Sequence, residues 1–328
     1  MATLKLFSLS ALLGLAFSLS GCQKSETATT TADHPPAQPE IKTLTVGFQK
    51  SALNLLVANQ QGYLAQQFPQ SKIAWKEFPA GPQMLEAIAI GAVDFGYVGN
   101  TPPIFAQAAN KEIRYLGFEP VSATGNALVV PNKSKIQQLS ELKGKRIAVQ
   151  KGSSAHELLA KVLQKAGLSW SDIQPIWLPP ADARAAFSKG SVDAWVVWDP
   201  YLSAAELDGS AKVLVDGQAF PATYSFYVAS PAFLKQHPQS AAKFLHSVNQ
   251  ADQWVVQHPQ QAVEVLAKST GIDPKIAAVV VQKRPKPAPV QALNAAVIAE
   301  QQRIADMFVQ VGLIPQKIQV QHNVWTGQ

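Results

Sequence analysis

The sequence predicts an α/β protein of two lobes, each a mainly parallel sheet flanked by helices, on three observations. From Ile41 onward strand-like runs alternate with helical ones, and strands separated by helices of that length build largely parallel sheets with helices on their faces. An ordered series of landmarks then occurs twice. Val46-Gly47-Phe48-Gln49-Lys50-Ser51 matches Ala148-Val149-Gln150-Lys151-Gly152-Ser153, each before a helix. Phe78-Pro79-Ala80, Gly91-Ala92-Val93-Asp94 and Asn100-Thr101-Pro102 match Leu178-Pro179-Pro180, Gly190-Ser191-Val192-Asp193 and Asp199-Pro200. The offset is 101 residues at Gln49 and Gln150 and 99 at Asp94 and Asp193, too long for a solenoid repeat. At 328 residues the chain is long enough for two such lobes.

The N-terminus reads as an address. Residues 1–21 carry Lys5 and an apolar run through Leu6, Leu9, Leu12, Leu13, Leu15, Ala16 and Phe17, too short for a bilayer span and shaped like an export signal. It ends in Leu19-Ser20-Gly21-Cys22, which resembles the lipobox of bacterial lipoproteins. The resemblance implies lipidation of Cys22 and a protein held in the periplasm or at the cell surface by that lipid; plain signal cleavage beside an incidental cysteine is the alternative. Cys22 is the only cysteine, so the folded body is left without a disulfide, a metal thiolate or a cysteine nucleophile. Residues 22–40, rich in Thr, Ala and Pro, cannot bury a core and read as a flexible tether.

The body follows in order. Strands are expected at 44–48, 73–78 and 93–98, with helices at 51–67 and 83–90, the latter stopped by Gly91. Thr101-Pro102-Pro103 opens the next helix, where proline is tolerated because early N–H groups lack intrahelical partners. Residues 146–149 form a strand that runs into Gln150-Lys151-Gly152-Ser153-Ser154 and a helix. At 223–229, Tyr224, Phe226 and Val228 alternate with Ser225, Tyr227 and Ala229 as a strand. The remaining chain is mostly helical, at 238–257, 259–269, 273–281 and 290–311, and should pack on one lobe. Lobe 1 is therefore expected over 41–125 and 226–328, and lobe 2 over 126–225.

Composition narrows the function. With 47% hydrophobic and 15% charged residues, the chain is not disordered. The net charge of +6 comes without a concentrated basic stripe, which argues against nucleic-acid binding. In facing α/β lobes, ligands sit beyond the C-terminal ends of the parallel strands, where helix N-termini point. The repeated Gln-Lys-Ser turns and Asn/Asp-Pro turns fall at such strand-to-helix junctions, so the two lobes should enclose one cleft.

Longer motifs carry a family resemblance. Glu77-Phe78-Pro79-Ala80-Gly81-Pro82-Gln83-Met84-Leu85-Glu86-Ala87, Pro102-Pro103-Ile104-Phe105-Ala106-Gln107-Ala108-Ala109 and Gln150-Lys151-Gly152-Ser153-Ser154 are similar to aliphatic sulfonate-binding proteins of bacterial ABC importers. So are Pro180-Ala181-Asp182-Ala183-Arg184-Ala185-Ala186-Phe187 and Trp198-Asp199-Pro200-Tyr201. The resemblance extends from about Leu44 to Trp325 and places the chain in the wider sulfonate, taurine and nitrate group. It implies a type II periplasmic binding-protein fold with a two-segment hinge, an alkanesulfonate ligand taken up for sulfur metabolism, and transfer to permease transmembrane subunits. It implies no cofactor, no metal, no catalytic residue and a monomer; taurine, nitrate or a sulfate ester are alternative ligands. Where the family usually has Gly-Asp-x-Pro-Pro, this chain has Gly99-Asn100-Thr101-Pro102-Pro103, exchanging an acid for an amide.

A sulfonate has three acceptor oxygens and one charge that does not titrate near neutral pH, and helix N-termini supply N–H and O–H donors for it without a salt bridge. Gly152, Ser153 and Ser154 are candidates for that nest, although a serine before a helix is also an ordinary cap. Gln49 can donate through its amide, and Gly81 exposes a backbone N–H or simply makes a turn. Asn100 and Thr101 cap the helix at Pro102-Pro103 or contact ligand with the same atoms. Trp198 offers a flat wall for a carbon tail, with Phe48 and Tyr97 nearby, while Asp199 caps the next helix or closes the lobes. Tyr224 and Ser225 lie near the hinge return. Lys50 and Lys151 read as solvated lysines outside direct contact.

An enzyme on the same scaffold is the competing reading. The six histidines show no metal-ligand spacing. His156 and Glu157 are adjacent on a helix and point in different directions, so they would not share a reacting atom. Neither a Gly-x-Ser-x-Gly elbow nor a complete phosphate loop is present. No complete catalytic constellation emerges.

Overall fold

The computed structural model describes residues 39–327. The export signal, Cys22 and all but the last two residues of the tether lie outside the described residues.

Among the described residues, ten strands form two five-stranded sheets. The first contains β1 (Thr43–Phe48), β2 (Lys72–Glu77), β3 (Phe95–Gly99), β4 (Arg114–Pro120) and β10 (Tyr224–Ala229), in the order β2-β1-β3-β10-β4. The second contains β5 (Asn126–Pro131), β6 (Arg146–Val149), β7 (Gln174–Trp177), β8 (Ala194–Trp198) and β9 (Ala211–Asp216), in the order β7-β6-β8-β5-β9. In each sheet four strands run one way and one opposes both its neighbours, β10 in the first and β5 in the second. The sheets thus have one topology, reached by two crossings of the chain, between β4 and β5 and between β9 and β10.

The repeat has an atomic basis. The Thr45 N–H donates to Asp94 Oδ2 at 2.7 Å, and the Arg146 N–H donates to Asp193 Oδ2 at 2.8 Å. The Asp94 and Asp193 N–H groups return the bond to the Thr45 and Arg146 carbonyls. Each aspartate tethers the start of its central strand to the strand beside it, which is why an acid recurs at that landmark.

Helices cover both faces of each sheet. They are α1 (Leu53–Gln60), α2 (Tyr63–Gln67), α3 (Gly81–Ala89), α4 (Thr101–Ala108), α5 (Ser154–Ala166), α6 (Pro180–Ser188), α7 (Tyr201–Leu207), α8 (Pro231–Gln236), α9 (Ser240–Gln257), α10 (Pro259–Thr270), α11 (Pro274–Lys283) and α12 (Ala295–Gln310). Local chemistry sets their ends. Ser153, Ser230, Asp273 and Asn294 cap α5, α8, α11 and α12 through their side chains, satisfying N–H groups that have no intrahelical partner. Residues 51–67 hold two helices instead of the expected one, because Gly62 at φ 69° turns the chain into the left-handed region between α1 and α2. The last long helix begins at Ala295 rather than 290: Gln291 bridges Phe118 of β4 through two backbone hydrogen bonds, holding that stretch extended.

Alternation along the strands divides the core. On one face of the first sheet Tyr115 and Phe226 pack with Ile304 and Phe308 of α12; on the other, Leu44, Val46 and Phe95 pack with Phe244 and Val248 of α9. The late helices α9 and α12 therefore pack on the first sheet, as their lack of strand–helix junctions implies. In the second sheet Ile147, Val149 and Val196 pack with Leu158 and Leu159 of α5, while Ala148, Trp195 and Val197 pack with Phe187 of α6 and Leu202 of α7. Each buried Val, Leu, Ile or Phe side chain among these contributes about 1.5–3 kcal/mol. No helix among the described residues is long and apolar enough to cross a membrane.

Candidate functional site

Strand ends and helix starts from both sheets meet at one cavity of about 140 Å³. Three helices point their N-termini at it: Gly81 opens α3, Pro102 stands in the first turn of α4, and Ser153 and Ser154 cap and open α5. The free N–H groups at the starts of α3 and α5 give the cavity a partial positive character without a dedicated cation, while α4 contributes its end only through Pro102, which has no N–H. Apolar walls come from Leu53, Tyr97, Trp198 and Val280.

Among the sequence candidates, Gln49, Gly81, Ser153, Ser154, Trp198, Asp199, Tyr224 and Ser225 line this cavity, together with Tyr97. Asn100, Thr101, Gly152 and Phe48 are not part of the lining. Asn100 and Thr101 are buried at the start of α4, where the Thr101 hydroxyl donates to Asn100 Oδ1 and the Asn100 carbonyl accepts from Gln301 Nε2. Gly152, at φ 73°, lies against Pro82 and Phe105, and its N–H donates to His156 Nδ1 at 3.1 Å instead of facing the cavity. Phe48 packs edge-on against Trp75.

The polar side chains have different duties. Ser153 Oγ donates to the Gln150 carbonyl at 2.8 Å and accepts from the His156 N–H at 3.4 Å, so it is occupied in capping. Among the described residues the Ser154 hydroxyl has no protein partner and is free to donate into the cavity. Gln49 Nε2 donates to the Tyr97 carbonyl at 3.0 Å, which uses part of its donor capacity within the first sheet. Asp199 Oδ1 accepts from the Ser203 N–H and hydroxyl at 2.9 and 2.6 Å, capping α7.

Three charged residues of the lining, Glu119, Arg284 and Lys283, were not evident in the sequence. Glu119, at the end of β4, accepts from Tyr227 OH at 2.8 Å and Asn54 Nδ2 at 3.0 Å. Burial raises its pKa, with the nearby Arg284 pulling the other way. Arg284 donates to Asp252 Oδ1 at 2.8 Å and Asn54 Oδ1 at 3.0 Å. The third is Lys283, whose Nζ donates to Glu206 Oε2 at 2.9 Å and Ser203 Oγ at 3.1 Å and stands 3.8 Å from Asp199 Oδ2. Lys283 ends α11, while Asp199 lies just before α7 and Ser203 and Glu206 lie within it, so the ion pair spans the two lobes. Lys283 and Arg284 are offset in the lining by Glu119 and Asp199. The one sequence signal was Lys283-Arg284-Pro285, a cationic helix end cut off by proline.

The geometry suits holding a small anion with an apolar portion between two lobes. Among the described residues no group of three or more His, Cys, Asp or Glu side chains is placed to hold a metal ion.

Comparison with known proteins points the same way. The family described as NMT1/THI5-like matches residues 49–262. The alkanesulfonate-binding protein SsuA of Xanthomonas axonopodis pv. citri, solved bound to MOPS, is 43% identical and superposes with a TM-score of 0.84 over 88% of this chain and 99% of that one. The periplasmic aliphatic sulphonate binding protein SsuA of Escherichia coli is 42% identical, with a TM-score of 0.78 over 87% of this chain and 97% of that one. The taurine-binding periplasmic protein of Escherichia coli K12 is 29% identical over 245 residues, 72% of this chain and 75% of that one.

Proposed function

The chain belongs to the NMT1/THI5-like family, and from that premise we propose that it is the extracytoplasmic receptor of an ABC importer, capturing aliphatic sulfonates for sulfur acquisition. The observation that carries this reading is the convergence of three helix N-termini from both lobes on one cavity. A sulfonate offers three acceptor oxygens to the N–H groups of Gly81 and Ser154 and to the Ser154 hydroxyl. Its fixed single charge is met by partial charges that need no proton exchange. The carbon tail lies against Trp198, Tyr97 and Leu53.

Binding would join the lobes. Ligand donors come from α3 on one side and α5 on the other, with Pro102 of α4 walling the first side, so an anion touching both helix ends stabilises the closed arrangement. Lys283 then bridges to Asp199 and Glu206 across the opening. The closed receptor is what the permease transmembrane subunits would recognise, and the ligand leaves chemically unchanged. Lipidation of Cys22 would keep this monomeric receptor at the membrane.

A second reading has one observation in its favour. Glu119 and Asp199 place two carboxylates in the lining, which suits a sulfonate that also carries an amine, as taurine does. Calorimetric titration with short alkanesulfonates, taurine, nitrate and sulfate separates the readings. Tighter binding of the alkanesulfonates supports the main proposal, preference for taurine supports the second, and no heat with any sulfonate removes both.

A further inference from the structure

His156 is the third residue of α5 and is fully buried, yet it does not line the ligand cavity. Its Nδ1 accepts the Gly152 N–H at 3.1 Å. An accepting Nδ1 requires the neutral ring to carry its proton on Nε2. The ring is clamped on all sides by aromatic rings. Phe105 and Phe308, at 5.6 and 6.0 Å between centroids, come from helices on the first sheet. Trp170 and Trp177, both at 5.0 Å, belong to the second lobe. Nε2 has no hydrogen-bond partner within this enclosure.

This bond decides how the neighbouring turn is presented. The Ser153 hydroxyl is tied to Gln150, and the Gly152 amide is tied to His156. Gly152 sits in the left-handed region at φ 73°, a conformation glycine adopts without strain but does not hold unaided. With both groups held back, the N–H and hydroxyl of Ser154 are the ones directed to the cavity.

We propose that His156 is a positioning residue for the anion, locking the Gly152 amide so that the turn offers Ser154 to the ligand. The aromatic clamp shared between the lobes makes the lock tightest when the lobes are together. The effect on ligand rests on the sulfonate reading above; the lock itself does not.

The test compares wild type with His156→Asn, whose Oδ1 can replace Nδ1 as acceptor, and His156→Leu, which has none. In the ligand-free wild type, exchange of the Gly152 amide with solvent should be slowed about a hundredfold or more relative to an open chain, and butanesulfonate should slow it further. His156→Asn should retain most of that protection and bind butanesulfonate within about threefold of wild type. His156→Leu should lose the Gly152 protection and bind about tenfold more weakly. Nitrogen NMR of the wild-type ring supplies a check that needs no variant, with Nδ1 unprotonated and Nε2 protonated. A protonated Nδ1, or a His156→Leu protein that keeps both Gly152 protection and affinity, overturns the proposal. If the wild type binds no sulfonate while protection follows the acceptor at position 156, the lock stands and the receptor reading fails.

Discussion

Gly99, the last residue of β3, faces Ser154, the first of α5, so closely that a Cβ on Gly99 would lie 3.1 Å from Ser154 Cβ and 3.2 Å from its Oγ. The two residues belong to different lobes, and both line the cavity. Glycine at 99 is what lets the lobes meet there. Gly99→Ala should therefore act as a wedge, weakening sulfonate binding about tenfold by calorimetry because closure is obstructed. Its ligand-free melting temperature should stay close to that of the wild type. Unchanged affinity would mean the lobes need not approach this far.

Ser153 and Ser154 should separate into a cap and a contact. Ser153→Ala removes the side-chain cap of α5 and should cost about 1 kcal/mol of stability in urea unfolding. Ser154→Ala should leave stability nearly unchanged and weaken binding about tenfold through the lost donor. Lys151→Ala should change affinity less than twofold, since its ammonium lies over the half-exposed Trp177 ring at 5.9 Å and any attraction for the ligand is screened by solvent. A larger loss from Lys151→Ala than from the serine pair would show that charge, not the helix end, holds the anion.

Lys283 bridges the lobes through Glu206, Ser203 and Asp199. Its side chain is 20% exposed, so the bridge is worth about 1 kcal/mol after screening. Lys283→Met should raise the dissociation rate of a sulfonate by about threefold to tenfold and leave the association rate nearly unchanged. Stopped-flow fluorescence of the cavity tryptophan, Trp198, can follow both rates. An effect confined to association would indicate steering of the anion instead of a latch.

His156 makes stability depend on pH. Burial, then repulsion from Lys151, lowers its folded pKa to about 3, while in the unfolded chain it lies at about 6.5. The neutral form is favoured by folding, so its full contribution is present above about pH 6.5 and is lost as pH falls toward 3. The loss is about 1.4 kcal/mol per pH unit within that window. Burial also raises the pKa of Glu157 on the same helix, so the comparison should be made against His156→Asn. The stability difference should shift in favour of that variant by roughly 1.4 kcal/mol per unit between pH 6 and pH 4. A flat difference would contradict a buried neutral ring.

Much of the cavity was legible because its lining follows strand ends. Gln49, Gly81, Ser153, Ser154, Trp198 and Asp199 stand at or beside junctions where apolar strands give way to helices, and the repeat marked those junctions twice. Gly152 was misplaced because sequence shows a glycine before a helix but not that a histidine four residues later takes its amide. Glu119 was missed for a related reason: Asn54 and Tyr227, which hold its carboxylate, lie 65 and 108 residues away. The strands β4, β5 and β9 lacked a clear signal too. In β5, for instance, Ala127-Leu128-Val129-Val130 is uniformly apolar, and such a short run does not distinguish a buried strand from a helical segment.

The central claim is that a sulfonate sits at the converging helix ends between the lobes. Crystals grown with 2-bromoethanesulfonate, measured at the bromine and sulfur anomalous signals, locate both ends of the ligand. The sulfur peak should fall within hydrogen-bond reach of the Ser154 N–H and hydroxyl and the Gly81 N–H, with the bromine beside Trp198. A sulfonate bound by Lys283 or Arg284 alone, or outside this cavity, would contradict the account.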